Sequence, residues 1–222
     1  MHDMSYREMV SMMQMDDTAR FGMVLVERLE WRRADDAIID WDAQAWYGGD
    51  YNKVFFKTEG ERVDGRTENA RAELLWDRIF ARRWSVQLGA REDFAAGPSR
   101  TWAAIGVKGL APYWFEIDAA LYVGDAGRTA ARIRVDYDLL LTQRCVLRAE
   151  MEGNLYGQAD RELNISSGLN DLEVGLRLRY EFRREIAPYL GVAWRYSSFV
   201  ELPIDGASSN DIQFLAGLRI WF

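Results

Sequence analysis

The chain has 222 residues, 49% of them apolar, and a formal net charge of −7 at pH 7. That length suits one domain or two, and the acidic balance argues against a nucleic-acid partner. No stretch approaches the roughly 20 apolar residues of a membrane-spanning helix, and a lone cysteine, Cys145, excludes an internal disulfide.

Residues 1–20 differ in character from everything that follows. Seven of the eight methionines fall within residues 1–23, and the one histidine, His2, is there too. Ser5-Tyr6-Arg7-Glu8 has capping-box spacing, which predicts a short helix over about residues 6–15. Met9, Met12 and Met13 would share one face of it. Thioether sulfur is a soft ligand that selects Cu(I) over Cu(II). His2, Met4, Met9, Met12, Met13 and Met15 are therefore the candidate copper ligands. The competing reading is adaptable packing against the rest of the chain. The first residues are polar and lack the apolar core of an export signal. The sequence thus reads as a mature or trimmed form with Met1 added.

From about residue 21 onward the pattern alternates with a period of two, as in strands. Twelve are predicted, at about 21–31, 38–47, 51–60, 66–79, 82–94, 101–110, 113–124, 127–140, 143–156, 169–183, 187–199 and 210–222. In residues 113–123, Tyr113, Phe115, Ile117, Ala119, Leu121 and Val123 oppose Glu116, Asp118 and Tyr122. In 128–139, Ile133, Val135, Tyr137 and Leu139 oppose Arg132, Arg134, Asp136 and Asp138. In 145–154, Leu147, Ala149 and Met151 oppose Arg148, Glu150, Glu152 and Asn154. In 171–183, Leu172, Val174, Leu176, Leu178, Tyr180 and Phe182 oppose Glu173, Arg177, Arg179 and Glu181. A helix could not segregate such sets; a strand does so automatically. The last strand puts Ile212, Phe214, Ala216, Leu218, Ile220 and the final Phe222 on one face.

The fold class predicted is all-β: a transmembrane antiparallel barrel of about 12 strands over residues 21–222, preceded by a Met-rich segment over 1–20. Such strands give a low mean hydropathy because lipid-facing and lumen-facing residues cancel. Nine Trp, ten Tyr and ten Phe suit two interfacial girdles. The turns near 80–84, 110–114, 141–144 and 183–189 are short and would be periplasmic. The longer connections, about 157–168 and 200–209, would be extracellular. A soluble sandwich would also alternate, but it has less reason to set Trp and Tyr at strand ends.

Several long strings resemble the copper resistance protein B family of outer-membrane proteins. They include Trp41-Asp42-Ala43-Gln44-Ala45-Trp46-Tyr47-Gly48-Gly49-Asp50-Tyr51, Gly109-Leu110-Ala111-Pro112-Tyr113-Trp114-Phe115-Glu116 and Asp136-Tyr137-Asp138-Leu139-Leu140-Leu141-Thr142-Gln143-Arg144. The resemblance covers about residues 16–222. It implies an outer-membrane barrel of a Gram-negative bacterium, engaged in copper resistance by binding or exporting periplasmic copper. Copper ions, outer-membrane lipid and periplasmic copper-binding proteins are the partners it implies. The family usually carries a longer upstream region rich in Met, His and Asp, of which only a short Met-rich stretch stands here. Cys145 departs from the family pattern.

Strand parity places ten carboxylates in the lumen: Asp40, Asp42, Glu59, Glu73, Asp118, Asp136, Asp138, Glu150, Glu152 and Glu173. It places Lys53, Lys57, Arg71, Arg132, Arg134, Arg148, Arg177 and Arg179 there as well. Such an interior either fills itself with ion pairs and is closed, or leaves carboxylates free as a cation path. The second case gives the alternative function, a small-solute or cation channel with no specific metal role. Catalysis is not expected. Outside His2 there is no histidine, hence no Ser-His-Asp or Cys-His set.

Overall fold

A computed structural model describes residues 19–33, 37–95, 98–163, 165–201 and 204–222; of 37, 95, 199–201 and 204–208 only the backbone is described. Its strands are β1 (Phe21–Arg33), β2 (Ala37–Gly48), β3 (Asn52–Val63), β4 (Arg66–Ala81), β5 (Trp84–Ala95) and β6 (Arg100–Leu110). They continue as β7 (Glu116–Gly124), β8 (Thr129–Leu140), β9 (Cys145–Tyr156), β10 (Gly168–Tyr180), β11 (Ile186–Glu201) and β12 (Ile204–Trp221). Each pairs antiparallel with its neighbours in sequence, and β1 pairs with β12 to close a barrel. The seam sets Leu25 opposite Trp221 and Val26 opposite Ile220. Val24 and Phe222 exchange both backbone hydrogen bonds, at 3.0 and 2.8 Å. Where β1 and β12 pair, over Leu25–Arg33 and Phe214–Trp221, closure leaves no open sheet edge, the condition for a sheet to cross lipid.

The outer surface is apolar where a soluble protein would be polar. Leu74, Ile105, Leu176, Leu178 and Leu190 all point outward and are exposed, as are Leu121 at 60% and Phe214 at 71%. A sandwich would bury these side chains; only a bilayer removes them from water. At the short-turn end Tyr47, Tyr51, Phe80, Trp114, Phe182 and Phe222 form an exposed aromatic band, the position of an interfacial girdle. Leu121 lies near the middle of β7, opposite Ile105 in β6. Leu121→Arg is expected to destabilise the membrane-inserted barrel by about 2–4 kcal/mol. Unfolding by denaturant in lipid vesicles would measure it.

The connections agree with the sequence pattern in most places. Residues 82–83, 111–115, 141–144 and 181–185 join strands at the end where β1 begins. The connection at 157–167 lies at the other end. There too Asp64 and Gly65, both at positive φ, form a two-residue hairpin turn. Two expectations need correction. Residues 200–201 and 204–209 are strand where a loop is expected: β11 and β12 stay paired out to Glu201 and Ile204. The seventh strand does not start at 113, because Pro112–Trp114 forms a 3-10 turn with Tyr113 and Trp114 at positive φ.

One local feature reshapes the interior. The β1 register shifts against β2 between Val26 and Arg28. The extra residue, Glu27, is a β-bulge, which reverses side-chain parity along one strand. Before it Leu25 points inward; after it Arg28, Glu30 and Arg32 do, all buried. Glu27 itself also reaches the interior, 2.9 Å from Arg148.

Candidate functional site

The lumen is crossed by a layer of ion pairs. Arg28 from β1 reaches Glu150 on β9 at 3.0 Å and Asp42 on β2 at 3.1 Å. Arg134 from β8 reaches across to Asp42 at 2.8 Å and pairs with Glu152 at 2.7 Å. Arg177 bonds Glu30 at 2.6 Å and Glu150 at 3.0 Å. Arg32 lies between Glu30 at 2.9 Å and Glu173 at 2.7 Å. Arg195 spans from Glu173 at 3.1 Å to Glu61 at 2.8 Å, and Arg132 ties Glu59 to Glu152. Strands from opposite walls are thus joined through charged side chains. Charge-assisted hydrogen bonds of this kind are strong.

The ten lumen carboxylates named from sequence all sit on the lumen-facing side, with Asp138 exposed at its short-turn mouth, and they fall in two groups. Asp40, Asp42, Glu59, Glu150, Glu152 and Glu173 belong to this layer. The other four sit elsewhere: Asp118 with Lys57 at 2.8 Å, Asp136 with Arg148 at 3.3 Å, Asp138 with Arg179 at 3.2 Å, and Glu73. Glu73 accepts a bond from the Tyr122 hydroxyl at 2.8 Å. Each carboxylate therefore has a protein partner. Arg28, Glu30 and Arg32, which hold the layer together, escape a sequence reading because of the bulge at Glu27.

One wall of the lumen is apolar. Phe55, Leu75, Trp102, Ala104, Tyr122 and Ala130 pack together there. Arg91 lies 4.5 Å above the Tyr122 ring and pairs with Asp93 at 2.6 Å. Tyr122→Phe would leave the buried Glu73 carboxylate without its donor. The expected cost is about 1–3 kcal/mol, read as a lower denaturant midpoint.

Above the layer, toward the long-connection end, lies a cavity of about 610 Å³. Its floor includes Arg28, Arg32, Asp40 and Glu173, and its walls carry Tyr156, Asn154 and Ser198. The 157–167 connection leans over it, with Leu163 and Ile165 facing the space. Asp160 anchors that connection by accepting hydrogen bonds from Arg100 at 3.1 Å and Arg128 at 3.0 Å. Partial burial pushes the Asp160 carboxyl up, but the Arg100 bond and the neighbouring cations outweigh it and hold it below its ordinary range.

The Met-rich candidates His2, Met4, Met9, Met12, Met13 and Met15 lie outside the described residues. The chain enters β1 at Phe21, at the short-turn end. Among the described residues no group of three or more His, Cys, Asp or Glu side chains is arranged to hold a metal ion. Cys145 is a free thiol at the start of β9.

A family model described as "Copper resistance protein B precursor" matches residues 20–222. The chain belongs to the copper resistance protein B family. A curated Escherichia coli relative, "Copper resistance protein B", is 43% identical over 210 residues, covering 93% of this chain and 71% of its own. A homolog from Pseudomonas syringae pv. tomato is 40% identical over 213 residues, covering 94% and 72%. Solved barrels share the architecture. NanC porin has a TM-score of 0.55 at 10% identity, covering 90% of this chain and 99% of its own. KdgM porin has 0.54 at 10% identity with the same coverage. The outer membrane phospholipase A of Escherichia coli has 0.51 at 8% identity, covering 90% and 92%. At such identities these neighbours speak for the fold alone. With the apolar exterior and the even strand count, the family places this barrel in the bacterial outer membrane.

Proposed function

We propose that this protein serves copper resistance by capturing periplasmic copper at the mouth of the barrel, and that the charged lumen is the route by which the metal leaves. The observation that carries the reading is a juxtaposition. A family tied by name to copper resistance carries here a run of soft thioether ligands, joined to the short-turn rim where the chain enters β1. In this reading the short turns face the periplasm and the longer 157–167 connection faces outward. Methionine needs no deprotonation to bind Cu(I), so capture would tolerate mild acid better than an imidazole site. Copper is cargo in this scheme, handed over by periplasmic copper-binding proteins and not transformed by catalysis.

Export would require the ion-pair layer to rearrange, because all its carboxylates are engaged by guanidiniums. Carboxylates are hard ligands that select poorly for Cu(I); they would steer an ion and not retain it. The cavity of about 610 Å³ favours a second reading, a channel for small polar solutes. Cu(I) titration of the full chain and of a version lacking residues 1–16 tests the first. Tight binding by the full chain and its loss on truncation support capture; equal, weak binding by both sinks it. A steady planar-bilayer current with no copper dependence would favour the channel.

A further inference from the structure

Strands β8 and β9, and then β10 and β11, are joined at the short-turn end by residues 141–144 and 181–185. The backbone holds these two turns side by side. The Glu181 N–H donates to the Arg144 carbonyl at 2.8 Å. On the far side Trp221 donates from its indole to the Arg184 carbonyl at 2.6 Å and from its backbone to the Glu185 carbonyl at 3.0 Å. Arg144, Arg183 and Arg184 therefore stand on one arc of the rim, and all three are exposed.

None of these guanidiniums is engaged in an ion pair or a hydrogen bond among the described residues. Of the two carboxylates in the turns, Glu181 lies 3.5 Å from Arg179, which leaves Glu185 against three cations. The opposite end is arranged differently. There Arg100 is held by Asp160 and Glu162, Arg128 by Asp160 and Asp125, and Arg62 and Arg66 alternate along the chain with Asp64 and Glu68.

A solvated rim would account for the arginines alone, but not for the wall next to them. On the outer face of the same four strands Leu139, Leu147, Leu178 and Leu190 pair in one continuous row. Tyr180 and Phe182, with rings 4.9 Å apart, carry that apolar wall up to Arg183. Phe182 is 68% exposed. Cations at the headgroup level above a leucine row match an amphiphile with an anionic head. A guanidinium fork also fits the oxygens of a phosphate. An acidic soluble protein could use the arginines but would have no use for leucines that face the bilayer.

We propose that this arc is a binding site for one anionic phospholipid of the leaflet at the short-turn end. Arg144, Arg183 and Arg184 hold its phosphodiester, and its acyl chains lie on the leucine row. Every membrane barrel touches lipid; the inference is a place that selects the headgroup by charge. The proposal is independent of the copper reading.

Native mass spectrometry tests it, with the full chain released from micelles that contain equal amounts of dioleoyl phosphatidylglycerol and dioleoyl phosphatidylcholine. Retained phosphatidylglycerol is expected to exceed phosphatidylcholine by about fivefold or more, roughly the worth of one arginine at a membrane surface. The preference should fall to parity when Arg144→Gln, Arg183→Gln and Arg184→Gln are combined. Glycerol 3-phosphate, which has a phosphate and no chains, should not displace the lipid. Equal retention of both lipids overturns the proposal. Displacement by glycerol 3-phosphate does so too, because it would make this a site for a free anion. An undiminished preference in the triple variant also contradicts it and would leave the arginines to an acidic protein partner. Should the triple variant fail to fold, crystals of the unaltered chain grown with dihexanoyl phosphatidylglycerol decide. A phosphate against Arg144 and either Arg183 or Arg184 supports the site, and none there contradicts it.

Discussion

Arg28→Met is expected to destabilise the barrel by about 3–5 kcal/mol, the cost of leaving a cluster of four buried carboxylates one cation short. Arg28 lies within 4 Å of four carboxylates, Asp40, Asp42, Glu150 and Glu152, from two different walls. No other cation takes its place on Asp40 except Arg32 at 3.5 Å. Methionine keeps the length of the stem and loses the charge, so the effect reads the ion pairs more than the packing. Denaturant unfolding in vesicles would show it as a lower midpoint. A change under about 0.5 kcal/mol, the range of ordinary surface substitutions, would mean that the layer contributes nothing to holding the barrel. The intact protein is expected to give little or no steady current in a planar bilayer, because the same layer crosses the lumen.

The second large effect concerns the amino-terminal methionines. Replacing Met9, Met12, Met13 and Met15 together by serine is expected to weaken Cu(I) binding at least tenfold, about 1.4 kcal/mol. The barrel itself should keep its stability, since its strands begin at Phe21. His2→Ala separates the two ligand types. Histidine competes with protons near pH 6.5 and thioether does not. Binding by the His2→Ala protein should therefore be flat across mildly acidic pH. A competition titration with a coloured Cu(I) chelator checks both. Unchanged affinity in the fourfold serine variant would remove the methionines from the copper account.

Much of the fold was legible because alternation is a property of single residues. Val174, Leu176 and Leu178 against Glu173, Arg177 and Arg179 reveal β10 and its two faces without any knowledge of neighbours. Ile212 and Phe214 against the buried Gln213 reveal the two faces of β12 in the same way. What stayed hidden depends on pairing. A bulge leaves no composition signal, so the parity switch at Glu27 concealed Arg28, Glu30 and Arg32. Phe55 lies in the run Val54-Phe55-Phe56, where alternation gives no direction; it faces the lumen while its neighbours face lipid. The strand ends at 200–201 and 204–209 carry Asp205, Gly206, Ser208 and Ser209, which read as loop until the partner strand is seen. The copper candidates were legible only as chemistry: soft sulfur atoms close together in sequence, on residues outside those the structure describes.

The most direct measurement is a crystal of the full chain soaked with Ag(I) as a Cu(I) surrogate, with anomalous data collected at a wavelength where silver scatters strongly. The account predicts a peak at the short-turn mouth, bonded to sulfur atoms of Met9, Met12, Met13 or Met15. A peak confined to the lumen carboxylates, or no ordered silver at all, would contradict it.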